Sequence, residues 1–432
     1  MTPETIGILM LFGLLIFFMM IRIPIAFSLG LSAVLTATYL SIPYFNLYQR
    51  MAVGLKSFTF MSVPFFIIMA QIMTDGQITE RLMKLCNIIV GRIRGGTAIV
   101  NVLVSMLFGG ISGSSSADVS SIGAMIIPAM VDEGYDPGYS VAVTVTSSVQ
   151  GVIIPPSQNM IYYAVAASSG LSISRLFITG YIPGILLGIS LMIPTVVIAY
   201  KRKYPVSEKK SFKENMKVIR EAILGLGAII VIIGGIVKGI CSATEAAGIA
   251  AVYALFITVC IYRNMTIKKF ITGIVGCLQS LATVMAIIAT SSAFSYVLSY
   301  LKVPQKLTTL LISLTDNRSM LMLLIILLLL ILGCFMDMGI LIILLTPILY
   351  PVATNIGYDP YHFGIILILG LGIGLCTPPV GTSLFLGCTI AKMPIEKAIR
   401  DFLPFYFSML FLLLILTFFP ILSTWLPNLL QV

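Results

Sequence analysis

Charge is what this chain of 432 residues has least of: Asp, Glu, Lys and Arg together make up 10% of it, against 59% hydrophobic residues. Soluble domains carry about 25% charged residues, so an ordinary water-soluble fold is excluded. There is one histidine, His362, and one tryptophan, Trp425. A lone histidine at the start of an apolar run reads as an interfacial residue rather than a ligand. The seven cysteines, at 86, 241, 260, 277, 334, 376 and 388, lie mostly inside apolar runs and form no C-x-x-C pair. Neither a zinc site nor a disulfide framework follows from that spacing. No hydrolytic triad, Walker loop, dinucleotide fingerprint or metal-ligand cluster is present either.

What is there is apolar sequence. Runs such as 8–20, 222–237 and 321–332 are long enough, with their flanks, to cross about 30 Å of hydrocarbon. They recur from end to end and leave no room for a soluble domain. The first run has neither a basic leader nor a small-residue cleavage site, and reads as a retained helix. The net charge of +10 sits in short loops, the pattern that orients a protein in a membrane rather than one that binds nucleic acid.

Those loops give a topology. Only Glu4 precedes the first helix and Arg22 follows it, so the N-terminus faces outward. Further crossings are expected at about 25–42 and 58–73, and Arg81, Lys84, Arg92 and Arg94 then mark the cytoplasmic side. The densest basic stretch, 201–220, includes Lys201, Arg202, Lys203, Lys209 and Lys210, and divides the chain near its middle. Arg263, Lys268, Lys269, Lys392, Lys397 and Arg400 extend the bias, whereas Arg50, Lys56, Lys302, Lys306 and Arg318 run against it. One orientation is possible only if 97–130 and 320–350 each enter and leave on the same side. Each then reads as a re-entrant hairpin, the first opening from the cytoplasm and the second from outside.

An internal repeat supports that count. Gly134-Tyr135-Asp136-Pro137 recurs as Gly357-Tyr358-Asp359-Pro360, and in the same register Gly151, Pro155 and Pro156 match Gly374, Pro378 and Pro379. Both halves read as hairpin, turn, and a helix interrupted by Pro-Pro. Inverted repeats with broken helices point to a transporter's binding site. The first polar break, Gly109 to Asp118, is dense in glycine and serine, which weaken a helix and free its oxygens. Such hard oxygen ligands suit a small cation, and a following helix N-terminus suits an anion. Close helix packing would explain the small residues equally, but not Asp118, which is costly in a membrane. In the second break, Pro155 and Pro156 lack donors, and Ser157, Gln158 and Asn159 follow at once. Its mate carries Thr377, Gly381, Thr382 and Ser383, and the second hairpin breaks at Gly333 to Gly339 around Asp337. Glu245 reads as a first-turn residue of a helix capped by Ser242.

In their order, Ser62-Val63-Pro64-Phe65-Phe66, Gly110-Ile111-Ser112-Gly113-Ser114, Pro155-Pro156-Ser157, Thr244-Glu245-Ala246-Ala247, Met336-Asp337 and Thr377-Pro378-Pro379-Val380-Gly381-Thr382 resemble the large membrane subunit of tripartite ATP-independent periplasmic (TRAP) transporters, in the wider ion-transporter superfamily. The resemblance implies an all-α polytopic membrane protein with an inverted repeat, two hairpins and two broken helices, working as an elevator. Its divisions would be scaffold helices at 1–95, a first transport half at 96–177, scaffold at 178–319 including the linker 201–220, a second transport half at 320–402 and a C-terminal helix at 403–432. It implies a Na⁺-driven importer of an organic acid in a bacterial inner membrane, with a small membrane subunit and a periplasmic binding protein as partners. One Na⁺ would lie near Ser112, Ser114, Pro155 and Asn159, and another near Gly333, Asp337, Thr377 and Gly381. Substrate would sit between them, at Ser115, Ser116, Gln158, Asn159, Thr382 and Ser383. A self-sufficient anion transporter of the same superfamily is the alternative, and a membrane enzyme or channel has too few inward polar groups to compete.

Overall fold

The structure, a computed structural model, describes residues 2–56, 61–167, 170–206, 212–237, 239–314 and 317–430. Within these, every regular element is a helix. The chain opens with α1 (Pro3–Met20), α2 (Ile25–Tyr39), α3 (Tyr44–Leu55), α4 (Ser62–Asp75) and α5 (Ile78–Val90). The start of the third expected crossing, at position 58, and Lys209 and Lys210 lie outside the described residues. The first half holds α6 (Gly96–Ser112), α7 (Ser115–Asp118), a π-helical turn Val119–Gly123, α8 (Ala124–Asp132), α9 (Pro137–Ser147), α10 (Gln150–Ile153) and α11 (Gln158–Ala166). Between the halves run α12 (Ile173–Lys201), α13 (Phe212–Val237), α14 (Ala243–Phe256), α15 (Ile267–Tyr300) and α16 (Val303–Leu314). The second half holds α17 (Arg318–Gly333), α18 (Met338–Asn355), α19 (Pro360–Leu375) and α20 (Thr382–Ile390), followed by α21 (Ile395–Phe418) and α22 (Ile421–Leu429). Among the described residues, 7 helices are long and apolar enough to cross a membrane, and shorter apolar helices accompany them.

The repeated Gly-Tyr-Asp-Pro is a stop-and-start device for helices. Gly134 (φ +91) and Gly357 (φ +84) take the left-handed conformation that ends one helix. Tyr135 and Tyr358 are buried, Asp136 and Asp359 occupy N-caps, and Pro137 and Pro360 begin the next helices. Asp359 caps in the usual way, its Oδ1 accepting from the amides of Tyr361 and His362 at 2.9 Å each. Asp136 instead turns its carboxylate to Arg202 (2.8 Å) and Tyr204 (2.6 Å), and the same guanidinium reaches Asp401 at 2.6 Å.

Packing is dense within two groups of helices, which α5–α6 and α15–α18 join. The pairs α1–α2, α2–α15, α3–α15, α4–α14, α5–α13 and α13–α14 form one. In the other, α6 packs on α9 and α10, α17 and α18 pack on α19, and α12 touches α6, α10, α19 and α21. Long α12 therefore joins both broken helices. Ser242 and Glu245 form the capping box expected at the start of α14. His362 departs from its interfacial expectation: it is fully buried in the first turn of α19, with Nδ1 at 2.6 Å from Ser423 Oγ.

Candidate functional site

Helix α6 ends at Ser112 because Gly113 (φ +62) turns left-handed. That tip meets the break between α10 and α11. Asn159 Nδ2 donates to the Gly113 carbonyl at 3.0 Å, and Gln158 Nε2 donates to that of Ser112 at 3.4 Å. The contact is backbone-close: a Cβ on Gly110 would stand 2.9 Å from the Pro155 carbonyl oxygen, and one on Gly113 2.8 Å from the Gln158 amide nitrogen. The helix has unwound there, with Ile154 extended (ψ 122) and both prolines following in a cis pair. Ser157 Oγ donates to the Val152 carbonyl at 2.7 Å, satisfying one oxygen that the break sets free. Ser114 caps α7 by accepting from the Ala117 amide. Ser112, Ser114, Pro155 and Asn159 thus converge on one tip.

Asp118 closes α7 below that tip. It is fully buried, and the Ser105 hydroxyl is the one hydrogen-bonding group of the described residues beside its carboxylate. A carboxyl sealed from water either stays protonated or is paired with a cation. The sequence singled out Asp118 as a candidate intramembrane charge but did not join it to a site.

The second half repeats the arrangement with different side chains. A Cβ on Gly374 would lie 2.5 Å from Gly333 Cα, so α17 and α19 touch backbone to backbone. In the first half one on Gly109 would lie 2.8 Å from the Gly151 amide nitrogen. Gly381 (φ +40) donates its amide to the Cys334 carbonyl at 3.1 Å, tying the tip to the second break. The Thr377 carbonyl faces Gly381, whose Cβ would come within 2.8 Å of it, while Thr377 Oγ1 bonds back to Ile373 O. Gly333, Thr377 and Gly381 therefore gather at this break. Asp337 caps α18 through the Gly339 amide (2.9 Å) and opens onto a cavity between the halves.

That cavity has a volume of about 400 Å³. Ser114, Ser115, Ser116, Gln158 and Asn159 line it from the first half, and Asp337 from the second. Thr382 and Ser383 do not reach it. Ser383 is buried behind the wall, where Ser115 Oγ is 2.7 Å from its hydroxyl and 2.6 Å from that of Ser148. Thr382 Oγ1 is buried without a partner. The far wall is Ser280 and Thr283 of α15, with Tyr162 beside Asp337, three residues that motif reading missed. The polar spacing of α15, with Ser280, Thr283, Ser291, Ser295 and Ser299 in an apolar run, was the available signal. Among the described residues, no Lys, Arg or His lines this cavity.

Residues 12–422 match the family model described as "Tripartite ATP-independent periplasmic transporter, DctM component". The chain is 36% identical to the C4-dicarboxylate TRAP transporter large permease protein DctM of Rhodobacter capsulatus, covering 98% of this chain and 99% of that one. It is 34% identical to the sialic acid TRAP transporter large permease protein SiaM of Vibrio cholerae, over 88% and 89% of the two chains. In fold it is similar to the Alcanivorax borkumensis YdaH transporter, with TM-score 0.66 at 14% identity over 97% of this chain and 98% of that one.

Proposed function

Because the chain belongs to the DctM component family of TRAP transporters, as a large permease and not an enzyme, we propose that it imports an organic acid anion together with two or more Na⁺ ions. The carrying observation is the cavity itself. Hydroxyls, amides and the Asp337 carboxylate surround it, and no cationic side chain of the described residues faces it. An anion beside a carboxylate at low dielectric is unfavourable without positive charge nearby. Cations held at the two hairpin tips supply that charge, and the buried Asp118 carboxylate, with no Lys or Arg ion pair among the described residues, gives the first of them a counter-ion. Oxygen ligands from Ser112, Ser114, Pro155 and Asn159 fit the first ion. Gly333, Thr377 and Gly381, with Asp337 at the cavity edge, fit the second. Of the expected substrate residues, Ser115, Ser116, Gln158 and Asn159 would touch the anion, a reading supported by their position on the cavity wall, while Ser383 would support Ser115 from behind.

In this reading the two halves are inverted, the hairpins are re-entrant, and the termini lie in the periplasm of an inner-membrane protein. The moving body comprises both hairpins and both broken helices. We add the whole of α12 and α21 to it, since they pack on those elements, although the sequence division cut through both, at 177 and 402. The body held together by α2, α4, α14 and α15 is the frame it slides against. A small membrane subunit and a periplasmic binding protein complete the assembly in this reading, and the C4-dicarboxylate and sialic acid carriers among the relatives support an organic acid as substrate.

The test is uptake of a labelled C4-dicarboxylate or sialic acid into proteoliposomes holding the chain and its small subunit, with and without the cognate binding protein. Uptake should require both an inward Na⁺ gradient and the binding protein. Full uptake by the chain alone would establish the self-sufficient alternative, and uptake unchanged in K⁺ would remove Na⁺ from the mechanism.

A further inference from the structure

A second cavity, of about 780 Å³, adjoins the first: Tyr162 and Ile343 line both. Its walls are the end of α11, the last turns of α15, and α3. Along α15 it is polar, with Ser291, Ser295 and Ser299 one turn apart, and exposure grows from buried Ser291 to exposed Ser299. Its one charged side chain among the described residues is Arg50.

Three residues of α3, spaced one turn apart, fix where Arg50 stands. A Cβ on Gly54 would lie 3.0 Å from Ser292 Cβ, so α3 and α15 lie against each other with no room for a side chain. One turn back, the Arg50 guanidinium lies over the Tyr296 ring, 5.3 Å from its centroid. One turn further, Asn46 Nδ2 donates to Tyr296 Oη at 3.2 Å and holds that ring. The ion pairs of the described residues involve Arg81, Arg202 and Lys306, so no carboxylate neutralises Arg50. A guanidinium held over an aromatic ring, without an ion pair and facing a cavity with a serine-lined wall, is a receptor for an oxyanion.

We infer that this vestibule is the entry chamber of the anion path, and that Arg50 is its capture site for a carboxylate or sulfonate group. The inference rests on the transport reading above. It divides the labour between two chambers: the outer one attracts the anion through a protein cation, and the inner one holds it where, among the described residues, no cationic side chain lines the wall. The serine stripe of α15 gives the path between them hydroxyl donors.

The experiment reads the vestibule's potential without transport. Ser295→Cys is introduced into the full chain in proteoliposomes. Position 295 is then labelled with the anionic 2-sulfonatoethyl methanethiosulfonate or its cationic trimethylammonium counterpart, and followed by peptide mass spectrometry. With Arg50 present, the anionic-to-cationic rate ratio should be several-fold higher than with Arg50→Gln, and Arg50→Lys should keep most of it. Raising KCl to about 1 M should collapse the ratio in the Arg50 background, because screening then acts within about 3 Å. That arm needs no change at Arg50. Equal ratios with Arg50 and Gln, a salt-independent ratio, or no labelling by either reagent would overturn the proposal. Because labelling needs neither Na⁺ nor substrate, a failed uptake assay leaves this result standing on its own.

Discussion

Gly374→Ala puts the proposed second Na⁺ site to a quantitative test. The added Cβ would sit 2.5 Å from the Cα and carbonyl carbon of Gly333. Carbon pairs settle at about 3.5–4.0 Å, so α17 and α19 must part by roughly 1 Å. Overpacking of this kind costs about 1–3 kcal/mol. The displacement acts one residue from the Cys334 carbonyl, whose 3.1 Å bond to the Gly381 amide holds tip to break. Moved by that much, the bond exceeds hydrogen-bonding distance. If the strain falls on the ion-bound geometry, Na⁺ affinity drops by roughly five- to a hundredfold, at about 1.4 kcal/mol per decade. Gly370→Ala on the same helix is the control, since its Cβ would meet Leu329 Cβ at an ordinary 3.4 Å. Thermal unfolding of purified protein, across NaCl mixed with KCl at constant ionic strength, reads the affinity because a ligand of the native state raises the melting temperature with concentration. Gly374→Ala should need about tenfold more Na⁺ for the same shift, and Gly370→Ala should overlay the parent. Overlay of both curves would refute the claim that the glycine contact sets the ion site.

Two further predictions concern energetics and the ion pairs of Arg202. One Na⁺ crossing about 100 mV down a tenfold gradient yields about 3.7 kcal/mol, and a monoanion costs about 2.3 to bring in, so one ion leaves only about 1.4 while two leave about 5.1. Flux ratios in proteoliposomes should therefore give at least two Na⁺ per anion, and a ratio of one would contradict the scheme. Arg202→Ala removes ion pairs to Asp136 and Asp401 from a site where the Arg202 side chain is 38% exposed. Solvent-screened pairs of this kind contribute about 1 kcal/mol or less, so the melting temperature should fall by only about 2 °C. A collapse of the fold would show that this cluster matters far more than its exposure allows.

Much of the architecture was legible because it is written in residues with hard conformational rules. Pro155 and Pro378 cannot donate, so α10 and α19 stop before them. The two Gly-Tyr-Asp-Pro stretches punctuate helices, and the stretches 97–130 and 320–350 are each broken, the first into Gly96–Ser112, Ser115–Asp118 and Ala124–Asp132 with a π-helical turn before the last, the second into Arg318–Gly333 and Met338–Asn355. What stayed hidden depends on partners remote in sequence. Nothing in the spacing says that Gly109 meets Gly151 or that Gly333 meets Gly374. Nor does it say that α15 walls the cavity, or that Ser383 is turned away to hold Ser115. Pro183 and Pro194 lie within α12, which runs unbroken as a helix and packs on both halves. Proline alone therefore does not mark the breaks. They occur where paired prolines face a hairpin tip.

The repeat conserves backbone devices and varies the side chains hung on them, which makes the two halves chemically unequal. In the first, an amide side chain, Asn159, holds the tip carbonyl, and the nearby carboxylate of Asp118 is sealed from solvent. In the second, a main-chain amide holds the tip, and Asp337 opens on the shared cavity. A sealed carboxylate answers only to a cation small enough to reach it, whereas one on the cavity wall feels whatever charge occupies the cavity. Asp118→Asn should therefore weaken Na⁺ dependence while leaving the ranking of competing organic acids intact. Asp337→Asn should change the Na⁺ requirement and the ranking together, since the neutral amide relieves repulsion of a second negative group. Competition of a graded series of mono- and dicarboxylates against labelled uptake, repeated at several Na⁺ concentrations, separates the two outcomes. An altered ranking in Asp118→Asn, or an unaltered one in Asp337→Asn, would refute this division between a sealed site and an open one.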